Sequence, residues 1–267
     1  MAYKLQQMGL GGILDQAIAI CKDNFGLLFK IMLIVLVPFS LLFNLANLLG
    51  SPAIPAQPTQ EDILRIQQSQ MYYLPLVLIA TLIQGFIVAP VANAAVIQAV
   101  ARLYLGQPVT ALEAVKHAFS RLGALIGTNI LISLAIGVGF MLCIIPGIYF
   151  SIWYGLSLHV VVLEHLSGTT AMSRSKMLVH PERGKFLALG IILFVIAAGL
   201  GAASNLIPQP HLRVIVATLV QACTAILIAA GLVVFYFSAR CREENFDLHY
   251  LAQAIGEEPA AEAGATL

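Results

Sequence analysis

Charge is what this sequence has least of. Only 10% of its 267 residues are Asp, Glu, Lys or Arg, while 60% are hydrophobic; a soluble domain carries roughly 25% charged residues. Such a chain cannot cover itself for water, and it reads as a polytopic membrane protein. Residues 122–163 form a run of 42 without one charged side chain. A helix rises about 1.5 Å per residue and the hydrocarbon core is about 30 Å thick, so roughly 20 residues cross once and this run crosses twice. Near its middle, CIIPGIYFSIWYG begins at Cys143 and carries Pro146 and Gly147. Pro146 removes an amide donor and Gly147 tolerates positive φ, so this pair is expected to end one helix and reverse the chain in a hairpin.

Other absences narrow the function. The four cysteines, Cys21, Cys143, Cys223 and Cys241, form no CxxC pair, which points to free buried thiols rather than a disulfide or thiolate metal site. A net charge of +1 gives no electrostatic reason to bind nucleic acid. GxSxG, HExxH and P-loop motifs are missing, and no catalytic residues or cofactors are expected. His117, His159, His165 and His180 show no i, i+4 ligand pair, so no metal is expected either. The centres of the apolar runs hold no ionisable residue of the kind common in ion-coupled carriers. Their polar residues, Gln84, Asn93, Gln98, Asn129 and Gln221, read as interhelical hydrogen-bond partners.

What is present is a series of apolar runs. The fold class read from them is all-α, with six transmembrane helices near 26–49, 72–101, 122–145, 147–164, 186–206 and 212–239. Pro38 and Pro90 should kink the first two. Tyr72, Tyr73, Tyr149 and Trp153 suit either the membrane interface or ordinary packing. Placing both termini and the even-numbered connections on one side gathers 12 of the 14 basic residues there, leaving only Arg65 and Arg213 opposite. That asymmetry predicts a multi-pass protein of the bacterial cytoplasmic (inner) membrane with N- and C-termini cytoplasmic.

The basic side is not plain loop. In TALEAVKHAFSRLG, Leu112, Val115, Phe119 and Leu122 recur at helical spacing, and Thr110 with Glu113 matches a capping box. LGGILDQAIAICKDNFG shows a similar face through Leu10, Ile13, Leu14, Ala17 and Cys21, and SGTTAMSRSKMLV a weaker one. These read as cytoplasmic amphipathic helices, against the plainer alternative of simple connectors. They suggest three repeats of an amphipathic helix plus two spans, starting near residues 8, 109 and 168. Gly123 with Gly127, Ala95 with Ala99 and Ala225 with Ala229 have small-residue spacing for close packing within the chain or between copies. Residues 50–70 read as a polar loop with a short helical lead-in. The whole divides into one integral membrane domain, 1–256, and a disordered tail, 257–267.

Glu164 is the only acidic residue between Glu113 and Glu182. At the end of the fourth run its carboxylate either points into headgroups or pairs with Arg174, ten residues later across Ser167-Gly168. Lys116, Arg121, Arg174 and Lys176 are the candidates for contact with anionic lipid, at roughly 1 kcal/mol per basic residue near the surface.

The segments LCIIPGIYFSIWYGLSLHVVVLEHLSGTTAMSRSKMLV and YFSARCREENFDLHYLAQAI resemble the membrane domain of bacterial glycerophosphoryl diester phosphodiesterases and related stand-alone membrane proteins. The resemblance rests on Pro146, Gly147, Glu164, Arg174, Ser175, Asp247 and Leu248. It implies a membrane module; the fused enzymes' catalytic half has no counterpart in this sequence. The expected function is therefore a non-enzymatic accessory or scaffold module that contacts membrane lipids, a protein partner or a second copy of itself. The rival is a permease for a lipid or other amphipathic molecule.

Overall fold

The computed structural model describes residues 6–50 and 59–244, and among them all regular structure is helical. The order is α1 (Leu10–Asp23), α2 (Phe25–Gly50), α3 (Gln60–Ile83), α4 (Ala89–Tyr104), α5 (Ala111–Ser120), α6 (Leu122–Leu142), α7 (Ile144–Tyr154), α8 (Ser157–Leu163), α9 (Gly168–Val179), α10 (Arg183–Ser204) and α11 (Pro210–Glu244). Five helical stretches are long and apolar enough to cross a membrane. A sixth is added if α1 and the described part of α2, bent by 78° at Asn24, count as one. The tail 257–267, Asp247, Leu248 and the side chains of Tyr72 and Tyr73 lie outside the described residues.

The core forms around α11. From Val233 to Phe237 no side chain is more than 3% exposed. Tyr104 stacks on Phe237 at 5.3 Å and Phe186 meets Phe235 edge-on at 5.1 Å. On α4, Ala95 and Ala99 are fully buried, as their spacing predicts; without large side chains, neighbouring helices approach closely. Gly123 and Gly127 behave differently. Both face outward, and a Cβ on either would meet nothing within 4 Å, so among the described residues they serve no close packing.

Polar residues within the apolar helices bond across to neighbouring helices. Pro90 lacks the N–H that would bond one turn back, and the turn before it, Gln84–Val88, widens into a π-helix. Asn129 Nδ2 donates to the Gly85 carbonyl there at 3.2 Å, and Gln84 Nε2 donates to Ser40 Oγ on α2 at 3.3 Å. Residues 60–70 are fully helical rather than mostly loop, because Thr59 and Asp62 form a capping box that starts α3 at Gln60.

The hairpin turns elsewhere than expected. Cys143 alone is extended, at φ −172° and ψ 161°, and it separates α6 from α7. Pro146 and Gly147 sit inside the first turns of α7, where a proline costs no helical bond because its N–H would have been unpaired. Gly147 has a different use. A Cβ on Gly139 would come within 2.9 Å of Gly147 Cα and 2.7 Å of the Phe150 ring, so the two glycines let α6 and α7 touch backbone to backbone. Cys143 itself is exposed, contrary to the expectation of a buried thiol.

The short helices also differ in part. On α5 the buried side chains are Ala114, Val115 and Ala118, whereas Leu112 and Phe119 are 73% and 56% exposed. The small alanines, not the large residues, form the packing face, since they permit the closest approach. α1 buries Ile13, Ala17 and Ile20, close to the predicted stripe, but it runs along α11. Met8 N–H donates to Ser238 Oγ at 3.0 Å, and further on Cys21 shares a cleft with Cys223.

Gly139→Ala should lower stability by about 1–3 kcal/mol, the usual range for overpacking, while Pro146→Ala should cost much less. Thermal unfolding in detergent checks this; equal losses would contradict the close approach as the reason for the glycine pair.

Candidate functional site

The residues singled out around the fourth run converge at the charged end of the bundle. Glu164 closes α8. His165, at φ 61°, and Gly168, at φ 60°, then turn the chain sharply into α9, and the Gly168 N–H donates to Thr128 Oγ1 of α6 at 2.8 Å. That turn folds α9 back so that Arg174 reaches Glu164. Its Nε donates to both carboxylate oxygens, at 3.0 and 2.7 Å, and its Nη2 pairs with Glu244. The Tyr236 hydroxyl donates to Glu164 Oε1 at 2.8 Å. Arg240 donates from Nε to Glu244 Oε2 at 2.8 Å and from Nη1 to the Tyr236 oxygen at 3.4 Å.

Side-chain exposures of 14% for Glu164 and 16% for Arg174 place this pair largely out of water. Removing one partner leaves Glu164 with the Tyr236 hydroxyl or Arg174 with Glu244, so the loss should fall below the about 3–5 kcal/mol of a fully buried pair left without any partner. Tyr236, Arg240 and Glu244 follow one another at four-residue intervals and so share one face of α11. Sequence reasoning missed these three, although that spacing was open to reading once Glu164 was known to need donors.

Ser175, the next residue, repairs a break. The chain loosens between α7 and α8 at Gly155-Leu156; the Leu156 N–H donates to Ser175 Oγ at 3.1 Å, and that hydroxyl donates to the Trp153 carbonyl at 2.7 Å. Gly155 is needed at this point because a Cβ would lie 2.5 Å from the Phe186 ring. Lys176 then places its ammonium 4.2 Å from the centre of the Trp153 ring, a cation–π contact.

A second cluster surrounds Glu182, whose side chain is 4% exposed in the turn ahead of the apolar part of α10. Lys185 Nζ at 2.7 Å, Arg242 Nη1 at 3.0 Å and Gln7 Nε2 at 3.4 Å all donate to its Oε1. Burial pushes the carboxyl upward in pKa, but these donors outweigh it and hold it below the usual carboxylate range.

Of the four candidates for lipid contact, three have internal partners. Arg174 holds Glu164 and Glu244, Lys176 lies on Trp153, and Arg121 Nη1 donates to the His165 carbonyl at 3.4 Å. Lys116 is exposed and without a partner among the described residues. Glu164, Arg174 and Ser175 are brought together, whereas Pro146 and Gly147 lie at the opposite end of α7–α8. No group of three His, Cys, Asp or Glu suited to a metal occurs among the described residues. Chemically the cluster is a set of carboxylates already satisfied by guanidinium and hydroxyl donors, an arrangement that fastens helices.

A double-mutant cycle measures that fastening. Glu164→Gln and Arg174→Gln should each lower thermal stability in detergent. The double variant should lose less than the sum by on the order of 1 kcal/mol, within the usual range for side chains in one network; additive losses would remove the pair as a coupled unit.

Compared with protein-family models, with curated proteins and with solved structures, the chain matches none.

Proposed function

We propose that the chain is a non-enzymatic integral membrane module of the bacterial inner membrane. It would cross six times, as three units of one short helix and two spans, and contact anionic lipid or a partner through its short helices. The helix order supports the threefold reading: α1, α5 and α9 each precede two long helical stretches. The basic asymmetry supports a cytoplasmic side for both termini and for the three short helices, and with them the Arg174 and Glu182 clusters.

One observation carries the lipid contact. The outward face of α5 presents Leu112 and Phe119 with Lys116 between them, while its alanines hold it to the bundle. Apolar side chains beside an unpaired cation are what a helix lying at a headgroup boundary offers. The permease reading has less behind it, because the Ala, Val, Ile and Phe side chains around α4 and α11 are buried against one another, as in a closely packed bundle.

Reporters fused after Lys116 or Met177 should score cytoplasmic and one near Gly147 external. Native mass spectrometry of Lys116→Gln should show less retained anionic lipid with stability unchanged. An internal score for the Gly147 fusion would overturn the topology, and unchanged retention would overturn the α5 contact.

A further inference from the structure

The bend between α1 and α2 opens a cleft of about 520 Å³ against α11, within the roughly 300–1,000 Å³ typical of small-molecule sites. Ile18 of α1, Phe25 of α2, and Ile226 and Leu227 of α11 form its walls, with the thiols of Cys21 and Cys223 between them. Ile18 and Phe25 are each 47% exposed, so the bend leaves two large apolar side chains half uncovered. Lys22 is the one charged residue of the lining. It is exposed, and its ammonium has no partner among the described residues, while the adjacent Asp23 has an interaction of its own.

We propose that this cleft holds one acyl chain of an anionic phospholipid from the surrounding bilayer, with the lipid phosphate on Lys22. Apolar walls exclude a polar solute, since nothing there would replace the hydrogen bonds it loses to water. A single cation beside those walls selects an occupant with an apolar body and an anionic end. Among molecules of that kind, a bilayer phospholipid is present at high local concentration wherever the chain is embedded. A net anionic headgroup pairs with the lone ammonium without a competing cation of its own. The chain would cover the exposed parts of Ile18 and Phe25 and wedge the bend between α1 and α2. The proposal rests on the membrane reading above but not on the α5 contact, because the two surfaces have no residue in common.

The test uses the full chain in phosphatidylcholine nanodiscs doped with a phosphatidylglycerol that carries a photoreactive diazirine in its acyl chain. After illumination, adducts mapped by peptide mass spectrometry should concentrate on residues 18–25 and 223–227. Lys22→Gln should reduce those adducts several-fold while leaving the melting temperature and adducts elsewhere unchanged. Ile18→Trp, which fills the cleft from a half-exposed position, should do the same. Adducts spread evenly over the apolar surface, or an unchanged yield in Lys22→Gln, would overturn the site. An equal yield from a phosphatidylcholine probe would overturn the anionic selectivity. Failure of the α5 contact would show instead in the Lys116→Gln lipid count, so the two results separate.

Discussion

A guanidinium held between two carboxylates fixes the charged end of this bundle. Arg174 on α9 pairs with Glu164 at the close of α8 and with Glu244 at the end of α11, tying two consecutive helices to one 70 residues further along the chain. Charges this far from water persist only when paired and hydrogen-bonded; Tyr236 and Arg240 complete the set. Three consecutive side chains then turn α9 into a fastening strip. Arg174 holds the carboxylates, Ser175 bridges the broken backbone between Trp153 and Leu156, and Lys176 lies over the Trp153 ring. Sliding α9 by one residue would lose all three contacts together.

The same economy governs the apolar interior. Where the helices depart from regular bonding, a side chain from a neighbour replaces what is lost, as Asn129 does for Gly85 and Thr128 for Gly168. Where they approach too closely for a Cβ, glycine stands, as at Gly139, Gly147 and Gly155. Gly139, Gly147 and Gly155, with Thr128 and Asn129, thus mark positions where a helix breaks, loosens or packs tightly on a neighbour.

Much of the helical layout could be read in advance, because the apolar runs are long and charges fall between them. The approach of Arg174 to Glu164 was also legible, as a lone carboxylate at the end of an apolar run needs a cation and the intervening Ser-Gly permits a turn. The hairpin position was not. Pro146-Gly147 looks like a break, but proline is tolerated in a first helical turn, and the reversal falls on Cys143, which carries no turn signal. The buried face of α5 was misread because hydrophobicity favours Leu112 and Phe119, whereas packing distance favours Ala114 and Ala118. Tyr236, Arg240 and Glu244 were hidden by their position in the sixth run and the basic stretch that follows it, where charges register as topology signals before they register as partners.

Hydrogen–deuterium exchange of the full chain in nanodiscs, comparing wild type with Arg174→Gln, tests the fastening role most directly. Exchange should rise in the amides of residues 168–179 and at Leu156, with the centre of α10 unchanged. Unaltered exchange in α9, or a uniform rise through every helix, would contradict the account that this one guanidinium holds the charged end in place.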